Sequence, residues 1–94
     1  MQYGYVKRLE DGFDDAVARV RDALAAEGFG VLSEIDVQGA LKKKLDVDFR
    51  RYLILGACNP QLAHKAVQAE PHIGLLLPCN VLVQEADQGT EVSI

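Results

Sequence analysis

The run Tyr52-Leu53-Ile54-Leu55-Gly56-Ala57-Cys58 is followed at once by Asn59-Pro60-Gln61-Leu62-Ala63-His64-Lys65-Ala66-Val67, and the join between them decides the fold. The first seven residues carry no charge and suit a central strand covered on both faces. Asn59 is a good helix cap, and Pro60 fits the first helical position, where the missing N–H costs nothing. Leu62, Ala63, Ala66 and Val67 then recur at helical spacing until Pro71, which predicts a helix over residues 60–70.

Working outward toward the N-terminus, the same strand-then-helix step repeats. Residues 2–9 set Tyr3, Tyr5 and Lys7 against Gly4, Val6 and Arg8, a loose alternation that reads as a strand with one wet face. Phe13, Ala16, Val17, Val20 and Leu24 form an apolar stripe, so a helix is expected over residues 13–27. Asp11 or Gly12 serves as its cap, Asp14 and Asp15 complement its dipole, and Gly28 offers a left-handed exit. Residues 29–37 alternate so that Phe29, Val31, Ser33, Ile35 and Val37 face the core. Asp36 then caps a short helix bearing Val37, Ala40, Leu41 and Leu45, with Lys42, Lys43 and Lys44 in its last turn.

On the C-terminal side, residues 73–77 are an apolar run too short for periodicity to classify, and read as a packed connection. Residues 80–85 and 90–94 read as strands joined by Ala86-Asp87-Gln88-Gly89, with Gly89 at positive φ. The order is β-α-β-α-β-α-β-β. That order predicts an α+β single domain spanning residues 1–94, with a mainly antiparallel sheet and helices packed on one face.

Composition narrows the function classes. Ninety-four residues with 49% apolar and 26% charged side chains make one small globular domain, the kind that often gains from dimerising. Ten basic residues against fourteen acidic ones leave a net charge of −4, which argues against a general grip on nucleic acid or an anionic membrane. No apolar run approaches the roughly 20 residues of a membrane helix. The N-terminus lacks the pattern of an export signal, so a cytoplasmic location is expected and the two cysteines are read as free thiols.

Chemistry concentrates at two element boundaries, Gly56-Ala57-Cys58-Asn59-Pro60 and Leu77-Pro78-Cys79-Asn80. Cys58 stands just before a helix N-terminus, where the dipole favours a thiolate; the ordinary alternative is that Cys58 and Cys79 are small buried hydrophobes. Asn59 and Pro60 serve equally as helix punctuation, and Asn80 either caps a turn or meets a ligand in a cleft beside Cys58. Cys58, Cys79, His64 and His72 lack the spacing of a metal site. Asp14 with Asp15 and Asp46 with Asp48 read as solvated charge. Lys42–Lys44 with Arg50 and Arg51 form a candidate anion patch, weighed against the same lysines simply suiting a helix C-terminus. No phosphate loop, dinucleotide fingerprint or nucleophile elbow occurs.

Three segments, residues 28–37, 55–60 and 74–81, together resemble the family called domain of unknown function 302, a set of small bacterial and archaeal α/β proteins with no established activity. The resemblance implies a small domain able to dimerise, and marks Cys58, Asn59, Pro60, Pro78 and Cys79 as signature positions without assigned roles. Members usually continue into a closing helix, whereas this sequence stops at Ile94, so a truncated form with one open face is an expectation.

The reading that follows is a non-enzymatic ligand-binding or interaction module acting as a homodimer. Its candidate ligand site is Cys58, Asn59, Pro60, Pro78, Cys79 and Asn80, and no cofactor, metal, nucleic acid or membrane is expected. The alternative is a thiol-dependent redox, sulfur-handling or soft-metal protein using Cys58 and Cys79.

Overall fold

A computed structural model describes residues 5–94. The part of the expected first strand that includes Tyr3 and Gly4 lies outside the described residues. The order is β1 (Val6–Leu9), α1 (Phe13–Ala26), β2 (Gly30–Asp36), α2 (Val37–Leu45), β3 (Tyr52–Cys58), α3 (Pro60–Ala69), a 3₁₀ helix (Pro71–Leu76), β4 (Cys79–Ala86) and β5 (Gly89–Ser93). The five strands form one sheet in the order β1-β5-β4-β3-β2, and every neighbouring pair is antiparallel. The α+β class and element order expected from the sequence are those observed.

Alternation along the strands sends Leu53, Leu55 and Ala57 of β3, Val81 and Val83 of β4, and Val92 of β5 to one face of the sheet. The apolar stripe of α1 lies on that face. Ala16, fully buried, brings the helix backbone close to the strands, and Phe13, Val17, Val20 and Leu24 pack around it. Gly12 caps the helix without a side chain; the Asp11 carboxylate instead accepts from Arg19 at 3.1 Å. The backbone carbonyl of Asp11 accepts a hydrogen bond from the buried Thr90 hydroxyl at 2.9 Å, tying the entry of α1 to β5. Glu27 ends the helix and Gly28 leaves it at φ +84°, as the sequence implies.

The other two helices start at opposite ends of the sheet, one after β2 and the other after its antiparallel neighbour β3. Asp36 Oδ1 accepts from the Gly39 N–H at 3.0 Å and starts α2 where β2 ends. The Asn59 side chain does the same for α3 where β3 ends, accepting from the Leu62 N–H at 3.2 Å.

Three expectations are corrected. Alternation was expected to hold through residues 29–37, but β2 carries a bulge between Val31 and Ser33: Val31 pairs with Ala57, and Ser33 with Gly56. The extra residue, Leu32, reverses the facing beyond it. Ile35 therefore leaves the core face and is 53% exposed, while Glu34 and Asp36 turn toward the helices. Strand β3 is not covered on both faces, since Tyr52 and Ile54 remain half-exposed behind the buried Leu55 and Ala57. Residues 73–77 are mostly 3₁₀ helix rather than packed connection, and Leu75 and Leu76 are 87% and 75% exposed.

Gly89 takes φ +100° at the β4–β5 turn, and a Cβ there would run into the Leu9 carbonyl oxygen of the neighbouring strand. Leu55 sits at the centre of the sheet with no exposure. Leu55→Ala should lower the unfolding free energy by about 2–5 kcal/mol, read from urea denaturation at unchanged m-value.

Candidate functional site

The β3–α3 join forms one wall of a cavity of about 210 Å³. Phe29, Ala57, Leu77 and Cys79 line it from the sheet side, Leu62, Ala63 and Ala66 from α3, and Cys58 and Asn59 from the join itself. The lining is nearly all hydrocarbon and thiol, and Asn59 supplies its one amide side chain. That amide is committed at its oxygen to capping α3, and its nitrogen lies against Gly28, 3.2 Å from where a Cβ would stand.

The six candidate positions do not form one cluster. Cys58, Asn59 and Cys79 line the cavity; Pro60, Pro78 and Asn80 do not. Pro60 occupies the exposed first position of α3. Asn80 pairs with Gly56, whose facing is opposite to that of Ala57 and Cys79, so Asn80 belongs to the far face of the sheet. Pro78, joined to Leu77 by a cis peptide, packs on that far face too: its Cγ is 2.8 Å from where a Gly56 Cβ would be.

Cys58 and Cys79 are both free thiols, half-buried and exposed respectively. Cys79 pairs with Ala57, one residue before Cys58, so the two side chains leave the sheet in opposite directions while both touch the same cavity at its end. At the helix terminus beside Cys58, two of the first backbone positions offer no free donor. Pro60 has no N–H, and Leu62 donates its own to Asn59. His64 is exposed on α3, and His72 pairs with Glu70 at 3.3 Å. Among the described residues, no group of three His, Cys, Asp or Glu side chains is placed to hold a metal ion.

A second cavity, about 330 Å³ and polar, lies at the opposite end between α1, α2 and the start of β3. Arg51 dominates it, 2.9 Å from Asp14 and stacked 4.1 Å from the Phe13 ring centre. Hydrogen bonding and then attraction to Arg51 hold the Asp14 carboxyl below its usual range, and the same hydrogen bond raises Arg51. Arg50 lies over Phe49 and Tyr52 and donates to Gln84 at 2.9 Å. Lys42 is raised by Asp46 first and then Asp48, at 3.0 and 3.2 Å. Two cations of the expected anion patch, Lys42 and Arg51, are thus ion-paired within the chain, and Arg50 is held by an amide and two aromatic rings.

Sequence reasoning found the join but missed Phe29, Leu62, Ala63, Ala66 and Leu77 as cavity walls. The helical stripe of α3 was legible; what it faced depends on the register of β2, β3 and β4.

A family model described as domain of unknown function DUF302 matches residues 5–94. The chain is also similar to a solved structure, the crystal structure of an uncharacterized conserved protein DUF302 from Bacillus stearothermophilus. The two share 29% identity at a TM-score of 0.90, over 100% of this chain and 73% of that one. No curated protein matches.

Two measurements follow from these contacts. Asn59→Ala should cost about 1 kcal/mol of stability, with Asn59→Asp recovering most of it, because the cap needs an oxygen acceptor. For Asp14 the folded-state value is depressed, so its pairing contributes fully above the unfolded value of about 4 and is lost as pH falls through the folded value. Arg51→Met should move the Asp14 titration upward toward that unfolded value in carboxyl-detected NMR.

Proposed function

The chain belongs to the DUF302 family, and from that premise we propose a non-enzymatic domain that acts as a homodimer and holds a small apolar ligand beside the β3–α3 join. The carrying observation is the roughly 210 Å³ cavity whose walls are Phe29, Ala57, Leu62, Ala63, Ala66 and Leu77. An apolar cavity of about 150 Å³ is enough to take a benzene-sized molecule. Binding rather than catalysis is favoured because no His, Asp, Glu or Lys side chain lines this cavity, which leaves its thiols without a general base.

The probe is toluene, titrated into the ¹⁵N-labelled chain and followed by amide shifts. Saturable shifts at Phe29, Ala57 and Cys79, abolished by Ala63→Phe, are expected. Shifts elsewhere, or shifts that persist in Ala63→Phe, would overturn this site.

The shared lining by Cys58 and Cys79 favours a second reading, a soft-metal or sulfur-handling protein. Its mark is an adduct in the native mass spectrum that disappears in both Cys58→Ser and Cys79→Ser. An adduct surviving either change rules out joint use of the two thiols.

A further inference from the structure

The exposed surface is 6914 Å², whereas a monomeric protein of 10.3 kDa exposes about 5,400 Å². The Cα radius of gyration is 14.7 Å against about 12 Å for a compact chain of this length. The excess, on the order of 1,500 Å², exceeds the roughly 800 Å² per partner that a specific interface covers.

One feature of the surface leads straight to the core. A groove of about 440 Å³ runs between α1 and the β1–β5 side of the sheet, walled by Leu9, Val20, Leu24, Val81 and Val92. Val81, at 2% exposure, belongs to the buried core, so the groove lies directly over the hydrophobic layer. Tyr5 and Ile94, hydrogen-bonded to each other through their backbones, stand at its mouth 80% and 68% exposed. Strand β1 is an edge strand, open to further pairing. The far face of the sheet also exposes apolar side chains, Val6 and Ile35 at 46% and 53%, but intersperses them with Asn80, Arg8 paired with Glu91, and Arg50 bonded to Gln84.

Three charged side chains line the groove: Arg19, already paired with Asp11 at 3.1 Å, and two of opposite sign, Lys7 on β1 and Glu27 at the end of α1. Among the described residues, neither has an ion-pair partner within 4.0 Å. A cation and an anion on one apolar patch suit an isologous interface, in which each meets its opposite on the twofold-related copy.

We infer that this groove is the dimer interface: a second copy of the chain seats along α1 and β1, with Lys7 of each copy facing Glu27 of the other. The inference rests on the homodimer reading above and names its surface. It leaves the cavity beside α3 free for ligand, since the two share no lining residue.

The test is light scattering coupled to size exclusion, with native mass spectrometry, on the full chain at micromolar concentration. The expected mass is twice 10.3 kDa. Ala23 lines the groove but is exposed, so Ala23→Arg should fold, give an unchanged circular dichroism spectrum and run as a monomer. Lys7→Glu should weaken the dimer at least tenfold, and Lys7→Glu combined with Glu27→Lys should restore it. Ile35→Arg, on the far face, should leave the dimer intact.

A monomer at all concentrations overturns both the inference and the homodimer reading. A dimer indifferent to Ala23→Arg, or dissociated by Ile35→Arg, overturns the inference and leaves that reading standing. A monomer that retains an anionic amphiphile, lost on Lys7→Glu, overturns the inference in favour of a lipid-like occupant.

Discussion

The contact on which the structure depends is the approach of α1 to the middle of the sheet through Ala16. An alanine with no exposed surface is the smallest spacer that still packs, and it lets Phe13, Val17, Val20 and Leu24 reach strands on both sides of the contact. The fully buried apolar residues are few, namely Ala16, Leu55, Ala57, Val81 and Val83. With so thin a centre, the surrounding half-buried residues supply much of the apolar burial, and anything that covers them adds to stability.

The two ends of the sheet are built alike and used differently. Each begins a helix with a side-chain cap from the last strand residue or the one after it, Asp36 for α2 and Asn59 for α3. At the Asp36 end, charge closes on itself: Arg51 is held by Asp14 and Phe13, and Lys42 by Asp46 and Asp48. At the Asn59 end the walls are hydrocarbon and thiol, and the cap's amide is the one polar side chain. The desolvation cost of an apolar solute therefore differs between the two ends, high beside the ion pairs and low beside the hydrocarbon walls.

Much of this was legible because helices and caps are local. Asn59-Pro60 marked the start of α3, and Gly89 marked the hairpin, since each requirement is met within a few residues. What escaped is non-local. Residues 29–37 alternate cleanly, yet nothing near Leu32 announces the bulge, which arises from pairing against Gly56 and Ala57 of another strand. The same limit explains the scattered site. Pro78, Cys79 and Asn80 are adjacent in sequence, but successive strand residues face opposite ways, so only Cys79 reaches the cavity that Cys58 and Asn59 touch.

The far-face roles of Pro78 and Gly56 complete the physical account of the two signature segments. Gly56 lacks a side chain at the position where Pro78 presses on β3, and Ser33 closes in from β2; a Cβ at Gly56 would meet both. The segments Gly56-Ala57-Cys58-Asn59-Pro60 and Leu77-Pro78-Cys79-Asn80 are thus two halves of one packing unit, paired residue to residue from Gly56 with Asn80 to Ala57 with Cys79. Their joint presence in the sequence follows from that pairing before any chemistry is asked of the thiols. On its other side the same unit supplies part of the cavity wall. Pro78 fills the space behind Gly56 that a side chain would need, while Ala57 and Cys79 line the cavity across from Leu62, Ala63 and Ala66 of α3.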